Sequence, residues 1–208
     1  MDAVLGRRLA RRFPDPVKAH GAWVYLCVSI LAGALTELGQ GFLPAVFAGA
    51  GYAGVFLVAS AFALWPGPWR RRFLIGLAFA LLSPAVAIAL GADPTFLAYG
   101  LVAVFPAGAA AWFAYRRGVQ SPPALLFGVA ALVVAAPSVA CAGGAPRAMG
   151  WILLALLAPF FAWRTARIRA LLGRQGWDRA RLRAVGWREA LYAVLWTFLA
   201  LALIHLLP

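Results

Sequence analysis

Apolar residues run almost without interruption from Ala22 to the C-terminus, and the polar positions fall in short clusters between the runs. No two-residue alternation of the kind a half-buried strand needs is present. The runs are instead long enough for helices that cross a bilayer, which takes roughly 20 mostly apolar residues because every backbone amide must find its partner within the segment. Seven stretches qualify, at about 21–38, 43–65, 73–91, 95–115, 124–142, 148–163 and 189–207. The pattern predicts an all-α, polytopic transmembrane helix bundle of one domain, 21–208, preceded by a basic segment, 1–20. The first run follows arginines as a secretory signal would, but it is long and no small-x-small cleavage site precedes a polar region, so it reads as a retained helix.

Composition agrees: 64% of the 208 residues are hydrophobic and 12% charged, more apolar surface than one soluble core of this size can hide. The formal net charge of +13 would ordinarily raise nucleic-acid binding, so the placement of the 19 basic residues decides its meaning. With the N-terminus in the cytoplasm, seven crossings put Arg7, Arg8, Arg11, Arg12, Lys18, Arg70, Arg71, Arg72, Arg116, Arg117 and the arginines of an inner loop at 164–188 on one side. Only Arg147 falls on the other, with the C-terminus. Changing the span number by one scatters the arginines over both faces, so the positive-inside rule selects N-in, C-out.

Trp65, Trp69, Trp112, Tyr115, Trp163 and Trp187 stand beside these arginines, as interfacial anchors do. Within 164–188, arginines at 167, 174, 181 and 188 recur every seven residues among Ile168, Leu171, Leu172 and Leu182. That spacing predicts a basic amphipathic helix on an anionic lipid surface, broken near Gly173 and Gly176; membrane attachment then accounts for the charge without nucleic acid.

Gly49, Gly51 and Gly54, with Ala45, Ala50 and Ala53, make one side of the second span small enough for close backbone approach. Prolines inside spans, at 84, 106, 137 and 159, predict kinks. The stretches Ser83-Pro-Ala-Val-Ala and Ala136-Pro-Ser-Val-Ala, each preceded by an arginine cluster and a glycine, are alike enough to suggest that spans two–three and four–five are repeated hairpins, though an alanine-rich chain produces such likeness by chance about as readily.

Few residues are available for chemistry. The four aspartates, at 2, 15, 93 and 178, are isolated, which argues against a magnesium-dependent prenyl transferase; the two histidines sit at opposite faces, which argues against a metal site; no serine or aspartate constellation suits an intramembrane protease. Cys27 and Cys141 lie inside apolar runs and read as small buried hydrophobes. No catalytic group, metal site or cofactor is expected. His20 and Glu189 open the first and seventh spans on the inner side, where they can pair; Glu37 and His205 form a second possible pair at the outer ends, a face they share with Asp93 and Arg147. His20 and Glu37 are about 25 Å apart along one helix, so any site is inner or outer. Simple snorkelling to the interface explains each of these side chains as well.

The segment Lys18-Ala19-His20-Gly21-Ala22-Trp23 resembles the K-x-HGAW start of YwiC-like bacterial membrane proteins. Arg116 and Arg117 before a glycine-containing fifth span, the arginine-rich stretch after the sixth and Val185-Gly-Trp-Arg-Glu189 before the last helix are similar in order. The resemblance implies a multi-pass protein of the bacterial plasma (inner) membrane and supplies no reaction; it places His20, Gly21, Trp23, Gly186 and Glu189 on the cytoplasmic face. The resulting expectation is a small transporter or permease-like bundle with His20, Trp23, Arg117 and Glu189 as ligand-binding candidates. The alternative is a non-catalytic membrane partner that binds anionic lipid or another membrane protein through the 164–188 loop. An enzyme is disfavoured, and oligomeric state is open.

Overall fold

A computed structural model describes residues 20–36, 41–62, 69–118, 121–174 and 179–206. The regular structure there is helical: α1 His20–Ala34, α2 Phe42–Phe62, α3 Trp69–Ala89, α4 Phe96–Arg117, α5 Pro122–Val133, α6 Ala135–Ala142, α7 Arg147–Arg174 and α8 Arg179–Leu206. Counting α5 and α6 as one bent unit, Pro122–Ala142, six helices are long and apolar enough to cross a membrane. The outer sides of α3 and α4 carry exposed leucines and phenylalanines, with Phe105 80% and Leu101 70% exposed. Water does not tolerate apolar patches of this extent on a monomer, and lipid does. The chain is an all-α, multi-pass membrane bundle.

With α5 and α6 taken as one unit, successive helices run antiparallel, and named contacts set the register. Gly54 of α2 crosses Gly76 and Ala80 of α3, and a Cβ on Gly76 would sit 2.8 Å from the Gly54 carbonyl oxygen, so the two backbones touch directly. Gly51 meets Pro84 of α3 and Gly49 meets Ile30 of α1, which is the use expected of the small side of the second span. Phe113 of α4 stacks on Phe127 of α5 at 5.7 Å, and the Trp196 indole of α8 donates to the Leu156 carbonyl of α7 at 3.0 Å. Helix ends alternate accordingly. Among the described residues, Arg70–Arg72, Arg116, Arg117, Arg164, Arg167, Arg169 and Arg188 gather at one end of the bundle, and Arg147 begins α7 at the other.

The structure departs from the predicted boundaries in three places. The first run forms a helix of 15 residues, about 22 Å long against a hydrocarbon core of about 30 Å. It closes after Ala34 in a tighter turn, in which the Thr36 amide donates to the Gly33 carbonyl three residues back at 3.4 Å. Secondly, the predicted surface helix is not a separate element. α7 continues unbroken through Arg164 to Arg174 and α8 begins at Arg179, so the seven-residue arginine spacing is divided between two long helices. Arg, Ala, Ile and Leu after Trp163 are good helix formers, and nothing before Gly173 interrupts them.

Thirdly, the fifth run is bent. α5 ends at Val133 and α6 resumes at Ala135, two residues before Pro137. Proline offers no amide hydrogen, so the Val133 carbonyl loses the donor that a continuous helix would supply. Pro84, Pro106 and Pro159 lie in helices that stay continuous, so the two hairpins with similar prolines differ in shape. All eight residues of α6 are buried, and α1, α2, α4 and α7 pack around it. The bent helix is the centre of the molecule.

Candidate functional site

The α7–α8 hairpin brings together Arg164 and Glu189, which are 25 positions apart in sequence. Arg164 Nε donates to Glu189 Oε2 at 2.6 Å, and Nη2 donates to Oε1. Both residues are buried, at 6% and 9% exposure, which makes this a two-point, charge-assisted pair in a medium that strengthens it. The guanidinium carbon also lies 4.3 Å from the centre of the Tyr192 ring and 5.3 Å from that of Trp163. From α1, Tyr25 stacks on Phe161 at 4.6 Å and lies beside Thr165, within electrostatic reach of both charges. Tyr25, Arg164, Thr165 and Glu189 therefore form a polar cluster joining α1, α7 and α8 near the arginine-rich end.

Each half of the pair would be expensive alone in this setting, and each neutralises the other. The cluster fastens α7 to α8 and sets α1 against them. It has no nucleophile–base arrangement, and among the described residues no three His, Cys, Asp or Glu side chains gather as metal ligands. Cys27 and Cys141 are free thiols; Cys27 is exposed and Cys141 is buried.

Of the four residues singled out from the sequence, Glu189 enters this cluster with Arg164 as its ion-pair partner. Trp23 points to α2, edge-on to Phe56 at 4.8 Å. Arg117 caps the far end of α4, which packs on α5 and α6, with its guanidinium 5.6 Å from the Phe113 ring centre. His20 begins α1, and its side chain lies outside the described ones, as does Glu37. At the opposite end a ring nitrogen of His205 contacts the Leu201 carbonyl at 2.9 Å. Asp93 Oδ1 accepts the Thr95 amide at 2.9 Å; this bond first, then the Thr95 hydroxyl and the Arg147 charge, holds the exposed Asp93 carboxyl below the usual aspartate range.

Sequence reasoning missed Arg164, Tyr25 and Thr165. A signal for Arg164 existed: a helical hairpin folded midway, near Gly176, sets position 164 opposite 189. Grouping Arg164 with the loop arginines hid it.

A second set of polar groups surrounds the bend. Ser138 of α6 donates to the Phe96 carbonyl at 2.8 Å, and Tyr52 of α2 lies beside Ser138. Gly33 of α1 packs on the backbone of Ala136–Ala140. Ser29, one turn earlier on the same face, therefore stands at the level of the bend. It is fully buried, and its hydroxyl has no hydrogen-bond partner among the described residues.

Compared with known proteins, the chain matches no family model, no curated protein and no solved structure.

Proposed function

We propose that this chain is a small permease-like carrier that crosses the membrane seven times with its N-terminus inside, in the bacterial plasma membrane that the Lys18–Trp23 resemblance implies. One observation carries the reading: at the centre of the bundle Pro137 denies the Val133 carbonyl its helical amide, and a buried, unpartnered hydroxyl stands at the same level. Discontinuous helices enclosed by their neighbours are the recurrent means by which transporters offer backbone groups to a solute. The Arg164–Glu189 pair supplies a polar latch at the arginine-rich end, where a path from the bend to the cytoplasm would open.

Proteoliposomes test this by stopped-flow light scattering after osmotic challenge with small neutral, anionic and cationic solutes in turn. The wild-type chain is expected to speed entry of at least one class over protein-free vesicles. Pro137→Ala, which restores an amide donor at the bend, is expected to abolish that flux while the protein remains folded. Equal rates with and without protein for every class would reject a carrier. Reporters on the two termini are expected in opposite compartments.

A further inference from the structure

No Asp, Glu, Lys, Arg or His occurs from 42 to 62 or from 121 to 146, so α2, α5 and α6 carry no charge at any position. In α1 such residues are absent from 21 to 34, and in α3, α4, α7 and α8 they are absent from 73–92, 94–115, 148–163 and 190–204. The bend between α5 and α6 is therefore surrounded by helix segments without a charged side chain. Arg164 and Glu189, beside Tyr25 and so one turn of α1 from Ser29, are committed to each other. At the bend itself the negative end of α5 meets the positive end of α6, and the two helix dipoles offset. The polarity that remains at this level is uncharged.

Hydroxyl groups supply it. Ser29 faces α6, because Gly33, one turn later on the same side of α1, packs on Ala136, Val139 and Ala140. Its neighbour Ile30 meets Gly49 of α2, and Tyr52, one turn along α2 from Gly49, lies beside Ser138 of α6. A Cβ on Gly100 of α4 would stand 3.7 Å from the Tyr52 hydroxyl, which places that hydroxyl where α2, α4 and α6 meet. Ser138 gives its proton to the Phe96 carbonyl. Ser29 and Tyr52 are different: both hydroxyls are buried without a hydrogen-bond partner among the described residues. With the Val133 carbonyl they make a set of two unused donors and one unused acceptor, all neutral. Tyr52 also rides on a separable piece, since the Gly54–Gly76 crossing locks α2 to α3 and α3 packs chiefly on α2. A shift of that hairpin as one body opens the level of the bend.

We propose that the solute taken at the bend is a small uncharged molecule with both hydrogen-bond donors and acceptors, of the polyol or urea class, which accepts from Ser29 and Tyr52 and donates to the Val133 carbonyl. The inference rests on the carrier reading and adds the class of solute to it. An ion at this level sheds water and meets no opposite charge, whereas a neutral polar molecule exchanges its bonds to water for bonds to two hydroxyls and a carbonyl.

The test uses the full chain in proteoliposomes, with entry of glycerol and urea followed by light scattering and movement of potassium and chloride by a voltage-sensitive dye. Wild type is expected to speed glycerol or urea over protein-free vesicles and to leave the dye signal unchanged. Ser29→Ala and Tyr52→Phe are each expected to lower the protein-mediated rate by about tenfold, the loss of one hydrogen bond to the solute. Neither hydroxyl has a partner to lose, so both variants are expected to unfold at or above the wild-type temperature, which separates lost transport from lost folding. Ser60→Ala, whose hydroxyl bonds the Leu57 carbonyl of its own helix, is expected to transport as the wild type does. If ions cross and neither glycerol nor urea does, the carrier reading stands and this inference falls; if nothing crosses faster than through protein-free vesicles, both fall. The site is also overturned if Ser29→Ala and Tyr52→Phe keep the wild-type rate, if either unfolds early because its hydroxyl was already partnered, or if Ser60→Ala slows entry as much as they do.

Discussion

Replacing Glu189 by glutamine isolates the contribution of the Arg164–Glu189 pair. The substitution keeps shape and one hydrogen-bond acceptor but removes the charge, leaving a guanidinium at 6% exposure without its counter-ion. Because both partners are buried, solvent screening does not dilute the effect, and breaking one side of such a pair costs about 3–5 kcal/mol. For a chain of this length that corresponds to a fall in unfolding temperature of roughly 6–20 °C. Arg164→Gln is expected to cost a similar amount. The double variant Arg164→Met/Glu189→Leu, in which no charge is stranded, is expected to recover most of the loss, since well-packed apolar replacements of buried pairs are often neutral. Thermal unfolding of wild type, Arg164→Met, Glu189→Leu and their double variant in one detergent closes a double-mutant cycle. The reasoning fails if Glu189→Gln unfolds within about 1 °C of wild type, or if the double variant loses as much as Arg164→Met and Glu189→Leu together, because either result means that the two charges do not interact.

Three further outcomes follow from the close packing, hydrogen bonds and titration of the bundle. A Cβ at position 54 would lie 2.7 Å from the Gly76 carbonyl oxygen, so even Gly54→Ala must part α2 from α3 at a cost of about 1–3 kcal/mol; an unchanged unfolding temperature contradicts the close crossing. Ser138→Ala removes the tie between α6 and the Phe96 carbonyl and is expected to cost about 0.6–1.7 kcal/mol, the range of single interhelical bonds in membrane proteins, read in the same assay. The lowered Asp93 carboxyl contributes stability that is fully present above the ordinary aspartate value of about 3.9 and is lost as pH falls through the folded value. Wild type is therefore expected to lose stability below about pH 4 in a way that Asp93→Asn does not, and superimposable pH profiles of the two would remove the Thr95 turn from the account.

Helix positions were legible in the sequence because lipid imposes the condition that sequence reading uses: a backbone with no water must satisfy itself over a whole apolar run. The runs starting near 43, 73, 95 and 124 accordingly begin within a few residues of α2, α3, α4 and α5. Boundaries failed where polar chemistry decides them. α1 closes early in a tight backbone turn at Thr36, and the arginines that looked like the start of a surface helix continue α7, since a charged residue ends an apolar window without ending a helix. The candidate site was half legible. Glu189 stands out as an acid at the edge of an apolar run, but the face of α8 it occupies, and so its partner, depends on how α7 and α8 pack. Trp23 and Tyr25 show the same gap: two positions apart, they serve different neighbours, Phe56 and Phe161.

Apolar side chains gain little by leaving lipid for a protein interior, so the bundle depends on close packing and on a few polar bonds for its specific arrangement. The small residues of α6 provide the first, bringing four helices onto one short segment. The polar bonds are distributed with economy: Arg164–Glu189 and Trp196–Leu156 fasten α7 to α8 at two levels, and Ser138 fastens α6 to α4. When nearly every polar group in an apolar medium must be matched, an unmatched buried hydroxyl carries more information than a matched one. Among the described residues Ser29, Tyr52, Ser121 and Thr165 carry such hydroxyls, and Ser29 stands at the level of Pro137, which denies the Val133 carbonyl its amide. At the bend the deficit of the side chain coincides with a deficit of the backbone, and that coincidence, rather than the total of charged residues, is what directs the search for a solute there.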